Sequence, residues 1–96
     1  MAAPVFRDVL SRFGSDHPAT LALRRSLHAL AQGCHRFHGE AKALSYEGAR
    51  DAASEAVCEL LLLGGEEAGP WVAALENGFM PAVAGLVRRA EKRGRR

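Results

Sequence analysis

The chain has 96 residues, which is enough for one hydrophobic core and too few for two, so residues 1–96 are expected to form a single domain. Apolar residues make up 48% and charged residues 25% of the chain, a balance that excludes a disordered or fibrous protein. The net charge of +2 hides an asymmetry, because residues 40–87 carry two cations and eight carboxylates whereas residues 88–96 carry six cations and one carboxylate.

The N-terminal segment predicts a short helix that ends at Gly14. Pro4 suits a first helical turn, and apolar residues recur at helical spacing as far as Phe13. Arg7 and Asp8 interrupt the apolar stretch that a signal peptide would need, and no apolar run approaches the ~18 residues of a membrane span. We therefore expect a cytoplasmic protein with no membrane association.

The second predicted helix is the longest, and it extends from Pro18 through Gly33 and Gly39 to Leu44. Its apolar seam alternates spacings of four and three residues and comprises Leu23, Leu27, Leu30, Cys34, Phe37, Ala41 and Leu44. Such a seam must pack against another helix. At each glycine we expect the helix to bend or a neighbouring helix to approach closely.

Ser45 is expected to cap a third helix, which lies antiparallel to the second and ends at Gly64 and Gly65. Its seam comprises Tyr46, Ala49, Ala53, Ala56, Leu60 and Leu63. The alanines predict a close approach to the second helix, and the leucines predict a wider core. The opposite face carries Asp51, Glu55 and Glu59, which we interpret as a solvated acidic stripe.

The fourth segment is interrupted by Asn77-Gly78 and Pro81, because proline lacks the amide donor of a helix interior. The sequence predicts two helical pieces, residues 70–76 and 79–92, with one sharply kinked helix as the alternative. Residues 91–96 are expected to be a frayed basic tail. The prediction is thus an all-α bundle of four to five helices, with one long central helix antiparallel to a second.

The two cysteines, Cys34 and Cys58, form no CxxC pair, and each lies in an apolar stretch. A thiol in such surroundings behaves as a small hydrophobic group. We interpret both as free, buried and structural.

Four consecutive leucines at the end of the third helix cover its whole circumference, so burial on one side cannot hide them all. Trp71 and Phe79 add further large apolar side chains nearby. This excess predicts a homodimer whose interface contains Leu60, Leu61, Leu62, Leu63, Trp71 and Phe79. The alternative is that the fourth segment covers these side chains within one chain.

The second predicted helix carries three histidines, His28, His35 and His38. Their spacing would allow only two of them to bind the same divalent metal ion. His35 and His38 could share one ion, whereas His28 lies about 10 Å away along the helix. A complete site would need Glu40, Glu55, Glu59 or a second subunit. The other interpretation is that these histidines are surface residues flanking the seam.

The C-terminal segment is strongly basic, and its cations could bind phosphates independently of base sequence. The predicted nucleic-acid-binding residues are Arg88, Arg89, Lys92, Arg93, Arg95 and Arg96. No aromatic residue lies among them to stack on bases. The alternative is a solubilising helix end that the helix dipole favours by itself.

The sequence contains no pair of nucleophile and base, no phosphate-binding loop and no cofactor fingerprint. We therefore expect no catalytic activity and no cofactor. The predicted function is a helical interaction module that self-associates as a homodimer or binds another protein. Nucleic-acid binding through the basic tail is the second alternative, and binding of a divalent metal is the third.

Overall fold

The computed structural model describes residues 2–63 and 65–94, and no strand occurs in those ranges. The helices are α1 (Ala2–Phe13), α2 (Pro18–His35), α3 (Gly39–Leu63), α4 (Ala68–Ala74) and α5 (Met80–Gly94), and a π-helical turn, Leu75–Phe79, joins α4 to α5. The prediction of a small all-α bundle is confirmed.

The central element is α3, which packs against α2 on one side and against α5 on another. The connection of three residues between α2 and α3 makes these two helices antiparallel. Helix α5 is antiparallel to α3 too, because Arg89 and Ala90 near its end line a cleft with Lys42 and Tyr46 near the start of α3. Helix α1 contributes Val5 and Val9 to the core. Alanines of α2 and α3 fill much of the rest of the core. Larger buried side chains come from α2 and α3 (Leu23 and Leu60) and from the π-helical turn and α5 (Leu75, Phe79, Val83 and Val87).

Small residues allow α2 and α3 to approach closely, as their alanines and glycine predict. The Ser26 hydroxyl donates a 2.6 Å hydrogen bond to the carbonyl of Ala49, and the Ser45 hydroxyl donates one of the same length to Ala29. A Cβ atom on Gly33 would lie only 2.7 Å from the Cε1 atom of Tyr46. The absence of a side chain at Gly33 therefore makes room for the aromatic ring.

The second predicted helix is too long. Helix α2 ends at His35, a connection of three residues reverses the chain, and α3 begins at Gly39, whose φ of +58° suits glycine and is rarely adopted by other residues. Ser45 therefore lies inside α3 and is not a helix cap. The predicted seam also fails beyond Gly33, because Leu44 lies on the exposed side of α3.

The interruption in the fourth segment is a π-helical turn and not a gap between two helices. The amide of Met80 donates to the carbonyl of Leu75, five residues earlier. Proline at position 81 has no amide donor, and its ring would crowd the carbonyl four residues before it in a regular helix. The wider turn immediately before Pro81 accommodates the ring, so the helical path continues to Gly94.

Candidate functional surfaces at the two ends of the bundle

The predicted interface residues divide between the core and the surface. Leu60 and Phe79 are buried within one chain, which corrects their assignment to an interface. They are covered because the π-helical turn, which contains Phe79, packs against α3 and α1. Trp71 is half-buried, and its ring packs edge-to-face on Phe13 with ring centroids 5.9 Å apart.

The other three leucines remain in solvent, with Leu61 60% exposed, Leu62 80% and Leu63 42%. The hydrogen bond between Ser26 and Ala49 sets the register of the two antiparallel helices. The first residue of α2, Pro18, is therefore level with a residue of α3 that lies more than one turn before its end at Leu63. The end of α3 therefore extends past α2. For this reason Leu63 is not covered, although the seam predicts that it is buried.

A groove of about 700 Å³ lies between α2 and α3 beside these leucines. Its apolar lining includes Leu21 and Cys58. Leu61 and Leu62 follow Cys58 by three and four residues, which places both within about 60° of it around the helix. Leu61 and Leu62 therefore lie about one helical turn beyond the groove, on the side of α3 that carries Cys58. We call Leu21, Cys58, Leu61 and Leu62 together the leucine surface.

Charged residues form the edges of the same groove. Arg24 and Arg25 come from α2, whereas the edge from α3 consists of Asp51, Glu55 and Glu59. Arg25 Nη2 and Glu55 Oε2 form an ion pair at 2.5 Å. The predicted acidic stripe therefore forms one edge of a cleft, and cations form the opposite edge. Its carboxylates face these cations as well as solvent.

Both cysteines are free but exposed, which corrects the prediction that they are buried. Cys58 lines the groove, and Cys34 lies on the last turn of α2, where the Tyr46 hydroxyl donates a 3.5 Å hydrogen bond to its sulfur. The alanine-rich faces of α2 and α3 are the ones that pack in the core. Each cysteine lies beside that face of its helix, so its thiol reaches solvent. The two thiols thus mark different ends of the bundle.

The three histidines are exposed and are not brought together. His28 forms a 3.1 Å contact between its Nε2 atom and Nε2 of Gln32, and His35 is the last residue of α2. His38 lies in the connection after α2, so helical spacing does not apply to it. Within residues 2–63 and 65–94, no three histidine, cysteine or acidic residues could hold a metal ion.

The basic segment forms the last turns of α5, where Arg88, Arg89 and Lys92 are exposed. Arg93 lies on the helical backbone, and Arg95 and Arg96 lie outside the described residues, as does the last part of the predicted frayed tail. Because α5 is antiparallel to α3, Arg89 reaches Lys42 near the start of α3. The two residues line a cleft of about 160 Å³ together with Tyr46, Leu86 and Ala90.

Burial raises the pKa of Tyr46 to about 12, and its hydrogen bond to Cys34 acts in the same direction. The positive charge of Arg89 favours the phenolate and opposes the increase. The phenol is therefore held neutral between α2, α3 and α5. Tyr46 thus lies between the thiol of Cys34, to which its hydroxyl is hydrogen-bonded, and Arg89 of α5, with which it lines a cleft.

Titration of the only tyrosine in the chain should give a transition near pH 12 instead of the usual value near 10. The folded pKa is higher than the unfolded one, so this group stabilises the fold fully below pH 10 and the contribution is lost as pH rises towards 12. Tyrosinate absorbance measures the transition directly. A transition near pH 10 in the folded chain would show that the ring is accessible to water.

Comparison with protein-family models, with curated proteins and with solved structures finds no match. In the part of the chain that the structure describes, each helix is too short or too polar to cross a membrane. Sequence reasoning missed the groove and the pairing of Lys42 with Arg89. No local signal could have found that pairing, since the two residues are far apart in the chain.

Proposed function

We propose that this chain is a helical interaction module that self-associates as a homodimer through the leucine surface. The observation that carries the proposal is the exposure of Leu62, 80%, beside Leu61, 60%. Burial of a leucine side chain contributes about 1.5–3 kcal/mol. A second copy placed on this surface would therefore gain from both leucines, and it would gain twice, because a two-fold interface uses the same surface on each copy.

The charges of the groove favour a second copy of this chain over an unrelated partner. The edge from α2 is cationic at Arg24 and Arg25, and the edge from α3 is acidic at Asp51 and Glu59. A two-fold axis that runs along the groove would place the cationic edge of one copy against the acidic edge of the other. Such self-complementarity sets the orientation of a dimer more than it sets its affinity.

A cytoplasmic location belongs to the same proposal. Cys34 and Cys58 are both free and exposed. Exposed thiols persist in reducing compartments and tend to oxidise outside them. A dimer held by leucines needs no disulfide between its subunits.

The two cysteines provide a direct test, because Cys58 lies within the proposed interface and Cys34 lies at the other end of α2. Alkylation of Cys58 should become slower as the protein concentration rises, whereas alkylation of Cys34 should not change. Protection of Cys58 should follow the dimer fraction in sedimentation equilibrium. Mass spectrometry of each peptide separates the two rates.

Two results would contradict the proposal. If the chain is monomeric at high micromolar concentration, it does not self-associate. If a dimer forms and both cysteines react at unchanged rates, the interface lies elsewhere. Cys34→Ser and Cys58→Ser variants confirm which thiol gives each rate.

A further inference from the structure

The geometry points to a site for single-stranded nucleic acid at the other end of the bundle, where α2 ends, α3 begins and α5 ends. In this site Phe37 stacks on a base, and cations from three elements bind phosphates. We call this region the basic end, and its members are Arg36, Phe37, Lys42, Arg88, Arg89 and Lys92. It lies far from the leucine surface, so the inference does not depend on the proposed dimer.

Phe37 is the aromatic residue that the sequence of the basic tail lacks. It lies in the connection between α2 and α3, is 39% exposed, and has Arg36 and His38 as chain neighbours. Its amide donates a 3.2 Å hydrogen bond to the carbonyl of Gln32, which holds the connection against the end of α2. An exposed aromatic ring beside a cation, at the end of the bundle that carries the other cations, is the kind of residue on which unpaired bases stack.

None of the cations of the basic end forms an ion pair with a carboxylate of the described residues. The nearest carboxylates to these five cations in the sequence are those of Glu40 and Glu91. Among the described residues, the ion pairs are Arg12 with Glu67 and Arg25 with Glu55, and both lie elsewhere. Exposed cations without a carboxylate partner add little to the stability of the fold, and they can displace counterions from phosphates. Lys42 is half-buried, and its ammonium lies 6.0 Å from the centroid of the Tyr46 ring, beside the cleft that it lines with Arg89.

The packing of α5 argues against a lipid surface as the partner. An amphipathic helix that lies on a membrane needs an unoccupied apolar face. The apolar face of α5 contains Val83, Val87 and Ala90, and all three are buried against the bundle. A single exposed ring beside cations suits a flexible strand with unstacked bases better than a bilayer or a rigid duplex.

Binding can be measured by fluorescence anisotropy with a labelled ten-nucleotide oligothymidylate, which is short enough to occupy one basic end. The double variant Lys42→Gln with Arg89→Gln should bind about tenfold more weakly than the unaltered chain. It should also lower the slope of log affinity against log salt by about 1.4, since each phosphate contact on a single strand contributes ~0.7. The charge-matched control, Arg7→Gln with Arg12→Gln on α1, should bind as the unaltered chain does.

Phe37→Leu tests stacking separately from charge and apolar area. This variant should bind the oligonucleotide about fivefold more weakly or worse while keeping the same salt slope. Leu62→Glu, at the opposite end of the molecule, should leave this affinity unchanged. Both results together would support the site.

Three results would overturn the inference. Equal weakening in the Arg7 and Arg12 control would mean that net charge alone causes binding. Unchanged affinity in Phe37→Leu would mean that no base stacks there. Tighter binding to vesicles of phosphatidylcholine and phosphatidylserine than to the oligonucleotide would identify a lipid surface as the partner.

Discussion

Replacement of Leu62 by glutamate is expected to weaken self-association by about 10²- to 10⁴-fold. Loss of one leucine from each copy removes about 3–6 kcal/mol from the dimer, and each 1.4 kcal/mol changes the dissociation constant tenfold. Helicity should not change, because the Leu62 side chain is 80% exposed in the single chain. Sedimentation equilibrium measures the dissociation constant, and circular dichroism measures the helicity.

The chain contains two useful controls for this variant. Leu44 also lies on α3 and is 60% exposed, but it is near the basic end, so Leu44→Glu should leave the dimer intact. Leu60→Glu should instead unfold the chain, since an unpaired charge would replace a fully buried side chain. If Leu44→Glu and Leu62→Glu had the same effect on mass, the leucine surface would not be the interface.

Replacement of Gly33 by alanine is expected to destabilise the fold, although alanine is the better helix former. The new Cβ atom would lie 2.7 Å from Cε1 and 2.9 Å from Cδ1 of Tyr46. The ring cannot move away freely, because Tyr46 is only 5% exposed and its hydroxyl donates a hydrogen bond to Cys34. Overpacking of this kind costs about 1–3 kcal/mol, which outweighs a gain of at most ~1 kcal/mol in helix propensity.

Gly48 provides the matched control, because it lies inside α3 and a Cβ atom there would meet nothing within 4 Å. Gly48→Ala should therefore raise the free energy of unfolding by about 0.5–1 kcal/mol. The two alanine variants should differ by about 2 kcal/mol in urea unfolding, with opposite signs relative to the unaltered chain. Stabilisation by both variants would show that α2 and α3 are further apart than the structure places them.

The periodicity of the sequence is sufficient to predict that the chain is helical and which face of α3 is buried from Tyr46 to Leu60. It could not locate the reversal at residues 36–38, because the apolar spacing continues through Gly39 without a break. The spacing of apolar residues reports the local conformation, whereas the position of a reversal depends on which faces of two helices can pack together. The positive φ of Gly39 is the local feature that permits the reversal, and a glycine alone does not reveal its φ value.

The leucine surface and the basic end are only partly predictable from the sequence, because each depends on how separate helices pack together. An excess of leucines at the end of α3 can be recognised from the sequence, but which of them are covered depends on the path of α4 and α5. Leu60 and Phe79 are buried by that path, and Leu62 is not. The basic end shows the same limit, because Lys42 and Arg89 come together only through the antiparallel packing of α3 and α5.

The π-helical turn fixes the rotational phase of α5 relative to α4. Leu75, Phe79, Val83 and Val87 are all buried and follow one another at intervals of four residues. In a regular α-helix each such interval drifts by about 40°, whereas the wider turn from Leu75 to Phe79 absorbs part of this drift. Loss or gain of one residue here would rotate α5 by about 100° and carry Arg89 away from Lys42. The length of this segment is therefore under tighter constraint than the identity of its exposed residues, Glu76 and Asn77.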